Sequence, residues 1–326
     1  MDEYIGLLRD LVSIPSPTGH AEEAARFLSD WMEQKRFDTS MEDHGLVINP
    51  AGKRLLFLGH IDTVPGEIPV RLEDGILHGR GSVDAKGPLC AAACAMAARK
   101  GISEDICLVA VLDEEGDSGC ARDLIENRDP TPAVILEPSD TRGITIQYNG
   151  RMLMDLEFAS MVSHAGSGIP YATEKAVKYH SEMGEGARIL SMAGDRERAG
   201  MTVDWRFDEI PEVVPPDDGS IEVREMIPPY RADKGSWLVR TFLRSIRGAG
   251  IRPVFKRKTG TCDMNILGKS WDVPLVAYGP GDSRLDHTPD ERILLNDYLG
   301  SVDVLKSVID EVSNRRQNLS GDRANS

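Results

Sequence analysis

Arg54-Leu55-Leu56-Phe57-Leu58-Gly59-His60-Ile61-Asp62, residues 54–62, is the stretch that decides the fold. Its apolar run shows no polar alternation, so both faces of the strand it forms must be covered. A strand of that kind belongs in the middle of an α/β sheet with helices on both faces. Runs of the same character recur at Ile106 to Leu112, Ala133 to Leu136 and Pro274 to Tyr278. Around them, apolar residues at three-to-four spacing predict helices over 2–13, 20–36 and 291–315. The stretch 88–100 is rich in alanine and apolar nearly all round, which predicts an interior helix with Pro88 in its first turn. The polar tail from Gln317 onward is expected to lack regular structure.

The middle of the chain has a different rhythm. Residues 144–159, 200–208, 219–227 and 252–258 read as strands, and 172–192 and 235–248 as helices. This β-α-β-β-α-β order is that of a ferredoxin-like α+β unit. The α/β pattern resumes after it, so the unit reads as an insert. The expected organisation is a mixed-sheet α/β domain formed by 1–143 with 259–326, interrupted by an α+β domain over 144–258.

Composition narrows the partners. The net charge of -15 disfavours nucleic acid, whose phosphates require clustered lysine and arginine. No window holds eighteen unbroken apolar residues, so no membrane span is expected, and the acidic N-terminus does not read as a signal peptide. Cys90, Cys94, Cys107, Cys120 and Cys262 include no Cys-x-x-Cys pair and read as small buried hydrophobes in a reducing, cytoplasmic compartment.

Metal-type ligands sit at the ends of the expected core strands. His60 and Asp62 close the first run, and Asp84 lies in Gly79-Arg80-Gly81-Ser82-Val83-Asp84-Ala85-Lys86-Gly87 just before the interior helix. Glu114 and Glu115 follow the second run, Glu137 the third, and His287 the fourth. Alone, His60 or His287 reads as a surface or satisfied core histidine, and a Glu-Glu pair as a solvated face. Together they converge on the carboxyl edge of the sheet, where α/β proteins bind ligands. Carboxylates so crowded repel one another unless cations neutralise them. Two imidazoles and no thiolates suit zinc, cobalt or manganese in a working site rather than a structural zinc.

These motifs, with Glu137-Pro138 and Tyr278-Gly279-Pro280-Gly281 and in this order across almost the whole chain, resemble the co-catalytic zinc amidohydrolases. That family includes acetylornithine deacetylase, succinyl-diaminopimelate desuccinylase and the aminoacylases. Gly59 to Leu89 and Lys258-Thr259-Gly260-Thr261-Cys262-Asp263-Met264-Asn265 look like its subgroup that frees lysine or ornithine from an amino-group carrier protein. The resemblance implies two divalent ions, most simply zinc, bridged by Asp84, with His60 and Glu137 on one and Glu115 and His287 on the other. It implies Glu114 as general base, Asp62 as the carboxylate orienting His60, and a cis peptide after Asp84. It also implies that the insert is a lid and dimerisation domain. From it, His164 would serve the neighbouring subunit of a homodimer as an oxyanion donor, and Arg206, Gly260 and Thr261 would contact substrate. Cys262 stands where the family often has serine, Asn149 where a basic residue is commoner, and the chain is short for the family.

Residues 231–258 carry nine basic residues (Arg231, Lys234, Arg240, Arg244, Arg247, Arg252, Lys256, Arg257 and Lys258) against the single acid Asp233. A solvated helix paired to acids elsewhere is the plain reading. A docking face for an acidic carrier protein is the sharper one. Other functions fit the ligand set: a deacetylase of small acetylornithine or acetyl-lysine, a metallo-dipeptidase, or a non-catalytic binder on the same fold. The intact Glu114 beside the ligands argues against the last. A serine hydrolase is dismissed, because no Gly-x-Ser-x-Gly elbow is present.

Overall fold

The computed structural model describes the backbone of residues 1–324 except Ser163 and Ala165, and the side chains of the same residues except Ser103 and 316–324. In chain order the elements are α1 (Asp2–Val12), α2 (Glu22–Gln34), β1 (Thr39–Glu42), β2 (Gly45–Ile48), β3 (Leu55–His60), β4 (Arg71–Glu73), β5 (Ile76–His78), α3 (Lys86–Ala98), β6 (Ile106–Val111), α4 (Gly119–Asn127), β7 (Ala133–Ile135) and β8 (Gly143–Tyr148). They continue with β9 (Gly150–Ala159), α5 (Ala172–Glu182), β10 (Ala187–Gly194), β11 (Arg198–Phe207), β12 (Gly219–Ile227) and β13 (Tyr230–Arg231). The last are α6 (Trp237–Gly248), β14 (Val254–Lys258), α7 (Asp263–Ser270), β15 (Leu275–Ala277), β16 (Arg292–Leu294) and α8 (Leu295–Ala324).

The chain divides into two units, Met1–Ile146 with Ala232–Lys256 and Ile266–Ser326, and Gln147–Arg231 with Arg257–Asn265. The first unit is built on a mixed sheet in the order β1-β2-β6-β3-β7-β15-β8. Strands β6, β3, β7 and β15 run parallel, while β2 is antiparallel to β6 and β8 to β15. Every residue of β3 and β6 is buried, as their unbroken apolar runs require. Helix α3 lies against both strands and is covered by α1 and α8. Its residues from Lys86 to Met96 are all buried, so it is the interior helix expected from its alanines.

The second unit is an antiparallel sheet in the order β10-β11-β9-β12. Alternate residues of β9 (Met152, Met154, Leu156, Phe158) and of β11 (Met201, Val203, Trp205, Phe207) form its core with Ala172 and Ala176 of α5. This is the period of two expected of a sheet buried on one face.

Three expectations are corrected here. The helix expected over 172–192 ends at Glu182, and Ala187–Gly194 is the strand β10. Gly186 explains the break: its φ is +96°, and a Cβ there would lie 2.2 Å from the carbonyl oxygen of Arg206. The helix expected over 235–248 is α6 and belongs to the first unit. It buries Leu238, Val239, Phe242 and Ile246, and the rings of Phe242 and Tyr278 stand 4.8 Å apart. The inserted unit therefore has one helix among the described residues, and the two-helix order expected for 144–258 does not form within it. Finally, α8 continues past Gln317 to Ala324, where irregular structure was expected.

Candidate metal centre

Because β6, β3, β7 and β15 are adjacent and parallel, their carboxyl ends share one edge of the first unit. His60 is the last residue of β3, Glu114 and Glu115 follow β6, Glu137 follows β7, and His287 lies beyond β15. Asp84 sits two residues before α3 and stands between two imidazoles. His60 Nε2 is 3.1 Å from Asp84 Oδ1, and His287 Nε2 is 3.1 Å from Asp84 Oδ2. His60 Nε2 also lies 3.9 Å from Glu137 Oε1, and His287 Nε2 lies 2.8 Å from Glu115 Oε1. The five expected ligands thus fall into two sets that share Asp84. The Asp84–Ala85 peptide is cis, as expected.

These side chains suit divalent ions. Two donors held tetrahedrally at about 2.0–2.1 Å from one zinc are about 3.3 Å apart, close to the spacings of both histidines from Asp84. His60, Asp84 and Glu115 each offer a ligand atom within 4.8 Å of the others. Protonation carries the same message. Burial opposes a charge on His60, yet hydrogen bonds with Asp62 and Asp84 and the nearby charge of Glu114 raise its pKa well above the usual range. Hydrogen bonds to Asp84 and Glu115 push His287 up to about 10. A cluster this acidic calls for positive charge, which protons or divalent cations can supply. His287 also adopts a left-handed backbone, with φ at +59°. Such conformations are uncommon outside glycine and collect where a side chain must be aimed.

Asp62 faces His60 with both its backbone oxygen and its carboxylate. The atom that accepts from His60 Nδ1, at 2.9 Å, is the backbone oxygen of Asp62, and the carboxylate is 3.5 Å away. That bond still leaves Nε2 to face Asp84, the tautomer a ligand needs. The Asp62 carboxylate is fully buried and accepts from Glu114 N and Glu115 N at 3.2 Å each, and from Thr18 Oγ1 at 2.6 Å. It therefore fixes the segment bearing the candidate base. Thr18 carries no motif signal; a bridge between Pro17 and Thr63 brings its loop to the site. Lys86, also unassigned from the sequence, is buried at the start of α3. Its Nζ donates to the carbonyl oxygens of Ile14 at 2.6 Å and Leu11 at 3.2 Å, and burial pushes its pKa down to about 8.

The remaining candidates lie in the second unit. His164 is exposed, and its Nδ1 accepts from Gly166 N at 3.1 Å. Arg206 donates through Nε to Asp204 at 3.1 Å and through Nη1 to Thr261 Oγ1 at 3.2 Å. Gly260 is exposed and Thr261 half-buried. Asn265, which the sequence motif includes without a role of its own, braces this loop. It accepts from Cys262 N and donates to the carbonyl oxygens of Asn149 and Pro228.

Known proteins match over the same span. A Thermococcus kodakarensis protein provisionally named as a LysW-lysine/LysW-ornithine hydrolase is 41% identical over 331 residues, covering 97% of this chain and 94% of its own. A LysW-lysine hydrolase of Deinococcus radiodurans is 35% identical over 347 residues, with 93% and 95% covered. A tripeptidase structure from Staphylococcus aureus shares the fold with a TM-score of 0.77 at 20% identity, with 95% and 98% covered. The family description that fits residues 56–311, and so takes in every residue gathered at the sheet edge, is peptidase family M20/M25/M40, and the chain belongs to that family.

Proposed function

We propose that the protein is a two-metal amidohydrolase that releases lysine or ornithine from an acidic amino-group carrier protein, within lysine or arginine biosynthesis. The observation that carries the chemistry is the Asp84 carboxylate set between His60 and His287. In this reading His60 and Glu137 hold one ion, Glu115 and His287 the other, and Asp84 both. Bound divalent ions, zinc in our assignment, supply positive charge that acidifies water and polarises the scissile carbonyl. Glu114 takes a proton from the attacking water and delivers it to the departing amine nitrogen, so a C–O bond forms as the C–N bond breaks. Asp62 keeps Glu114 in place through the two backbone hydrogen bonds on its carboxylate. Arg206, Gly260 and Thr261 are assigned to substrate, and His164 to the oxyanion in a second copy of the chain.

Two surfaces support the partners in this reading. Strand β10 is a sheet edge with Ile189, Leu190 and Met192 exposed, an apolar edge of the kind a second copy would cover. On α6, Arg240 and Arg247 are exposed, and Arg252 follows them. Arg244 on the same stripe is already paired with Glu311, and Lys256 with Asp140. The docking role is therefore assigned to Arg240, Arg247 and Arg252. Amine release by the metal-reconstituted protein, on carrier-linked lysine and Nα-acetylornithine at low and high salt, tests the proposal. Preference for the carrier form that fades with salt is expected. Salt-independent preference for the acetylated compound would remove the carrier, and inactivity on both would favour a dipeptidase.

A further inference from the structure

Glu291 lies four residues beyond His287, is 1% exposed, and has no place in the proposed ligand set. Its Oε1 accepts from the backbone N–H groups of Val83 at 2.9 Å and Asp84 at 3.1 Å. Its Oε2 accepts from Arg80 Nη1 at 2.7 Å, and Arg80 Nε donates in turn to Gly66 O at 3.0 Å. The backbone oxygen of Glu291 accepts from Gly79 N at 3.3 Å, where β16 pairs with β5. One buried carboxylate thus joins the loop that presents Asp84 to the segment that presents His287.

We infer that Glu291, held by Arg80, is a positioning residue that sets Asp84 against His287 and so tunes metal binding. The inference rests on the ligand set proposed above. Its chemistry is specific. The carboxylate is acceptor-only and faces donors on both sides, two backbone N–H groups on one and a guanidinium on the other. In Glu291→Gln the amide oxygen can serve only one side, and the NH2 then meets a donor on the other.

Cobalt(II) titration of the metal-free full-length protein, followed by its visible absorption, tests this without relying on turnover. The wild type is expected to take up two equivalents. Glu291→Gln should bind the equivalent shared by Asp84 and His287 about 10- to 100-fold more weakly, the range seen when groups that orient ligands are altered. Its absorption band should shift, and added metal should restore activity. A merely structural role would lower the melting temperature of the metal-free protein and leave both affinities unchanged. Affinities within threefold of wild type in the folded variant overturn the inference. Should Glu291→Gln not fold, Arg80→Met decides by the same titration, with weaker binding expected and wild-type binding overturning. Fewer than two equivalents on the wild type would instead remove the ligand set, and the inference with it.

Discussion

Replacing Asp62 by asparagine separates its backbone-holding role from a direct one on His60. The carboxylate accepts Glu114 N on Oδ1, and Glu115 N with Thr18 Oγ1 on Oδ2. Asparagine has one acceptor oxygen, so whichever way the amide lies, its NH2 meets at least one backbone donor. Thr18 can turn its hydroxyl to accept, but a backbone N–H cannot. One hydrogen bond to a charged group is lost, worth about 1.5–3 kcal/mol. If that loss falls wholly on the placement of Glu114 in the transition state, it corresponds to about 10- to 150-fold in rate. The assay is kcat/KM on a small acylated amino acid at saturating metal, where ion affinity does not enter. Thr18→Val should cost less, and the double variant should lose less than the sum, because the two residues share one bond. An Asp62→Asn variant within threefold of wild type, with unchanged melting, would refute the reasoning.

Other expectations follow from the same geometry. Glu114→Gln should lower kcat about 100- to 10,000-fold, the usual share of a general base, while binding metal as wild type by titration. The folded-state pKa values of His60 and His287 are raised, the latter to about 10. The His287 contribution to the metal-free protein is therefore complete below the unfolded value near 6.5 and is lost as pH climbs toward 10, and the His60 contribution falls in the same direction. Melting of metal-free protein should fall over that window, and metal uptake should release protons, measurable in weakly buffered solution. Gly186→Ala places a Cβ 2.2 Å from the Arg206 carbonyl oxygen at a φ of +96°. It should cost about 2 kcal/mol or more, seen in thermal melts. Arg240→Glu with Arg247→Glu should raise KM for a carrier-linked substrate at low salt and leave Nα-acetylornithine unchanged.

The sheet and the candidate ligands were legible because their signals are local. An apolar run such as Leu55 to Leu58 cannot be stable unless both faces are covered, and His60 at its end must emerge at the sheet edge. Strand β10 was hidden because Ala187, Arg188, Leu190 and Met192 favour helix, and only pairing with β11 overrides that preference. Helix α6 was assigned to the insert because its apolar stripe says that it is buried, not against what. The loops at the site were legible only where a motif names them. Thr18, Arg80 and Glu291 act through hydrogen bonds to groups far away in the chain, and no periodicity announces such a bond. For Asp62 the backbone oxygen stands nearer His60 than the carboxylate does, a distinction of atoms that sequence does not carry.

Lys86 carries a lesson for anyone who would cut or graft this protein. The ammonium at the head of α3, two residues after Asp84, is held by carbonyl oxygens from the end of α1 and the turn beyond it. No candidate ligand precedes His60, so the first fourteen residues look dispensable to an engineer trimming the gene. Removing them would take away both acceptors of a buried lysine and the helix that covers it, beside the loop that carries Asp84. A transplanted metal edge has to bring this N-terminal helix along, although it contributes no ligand of its own.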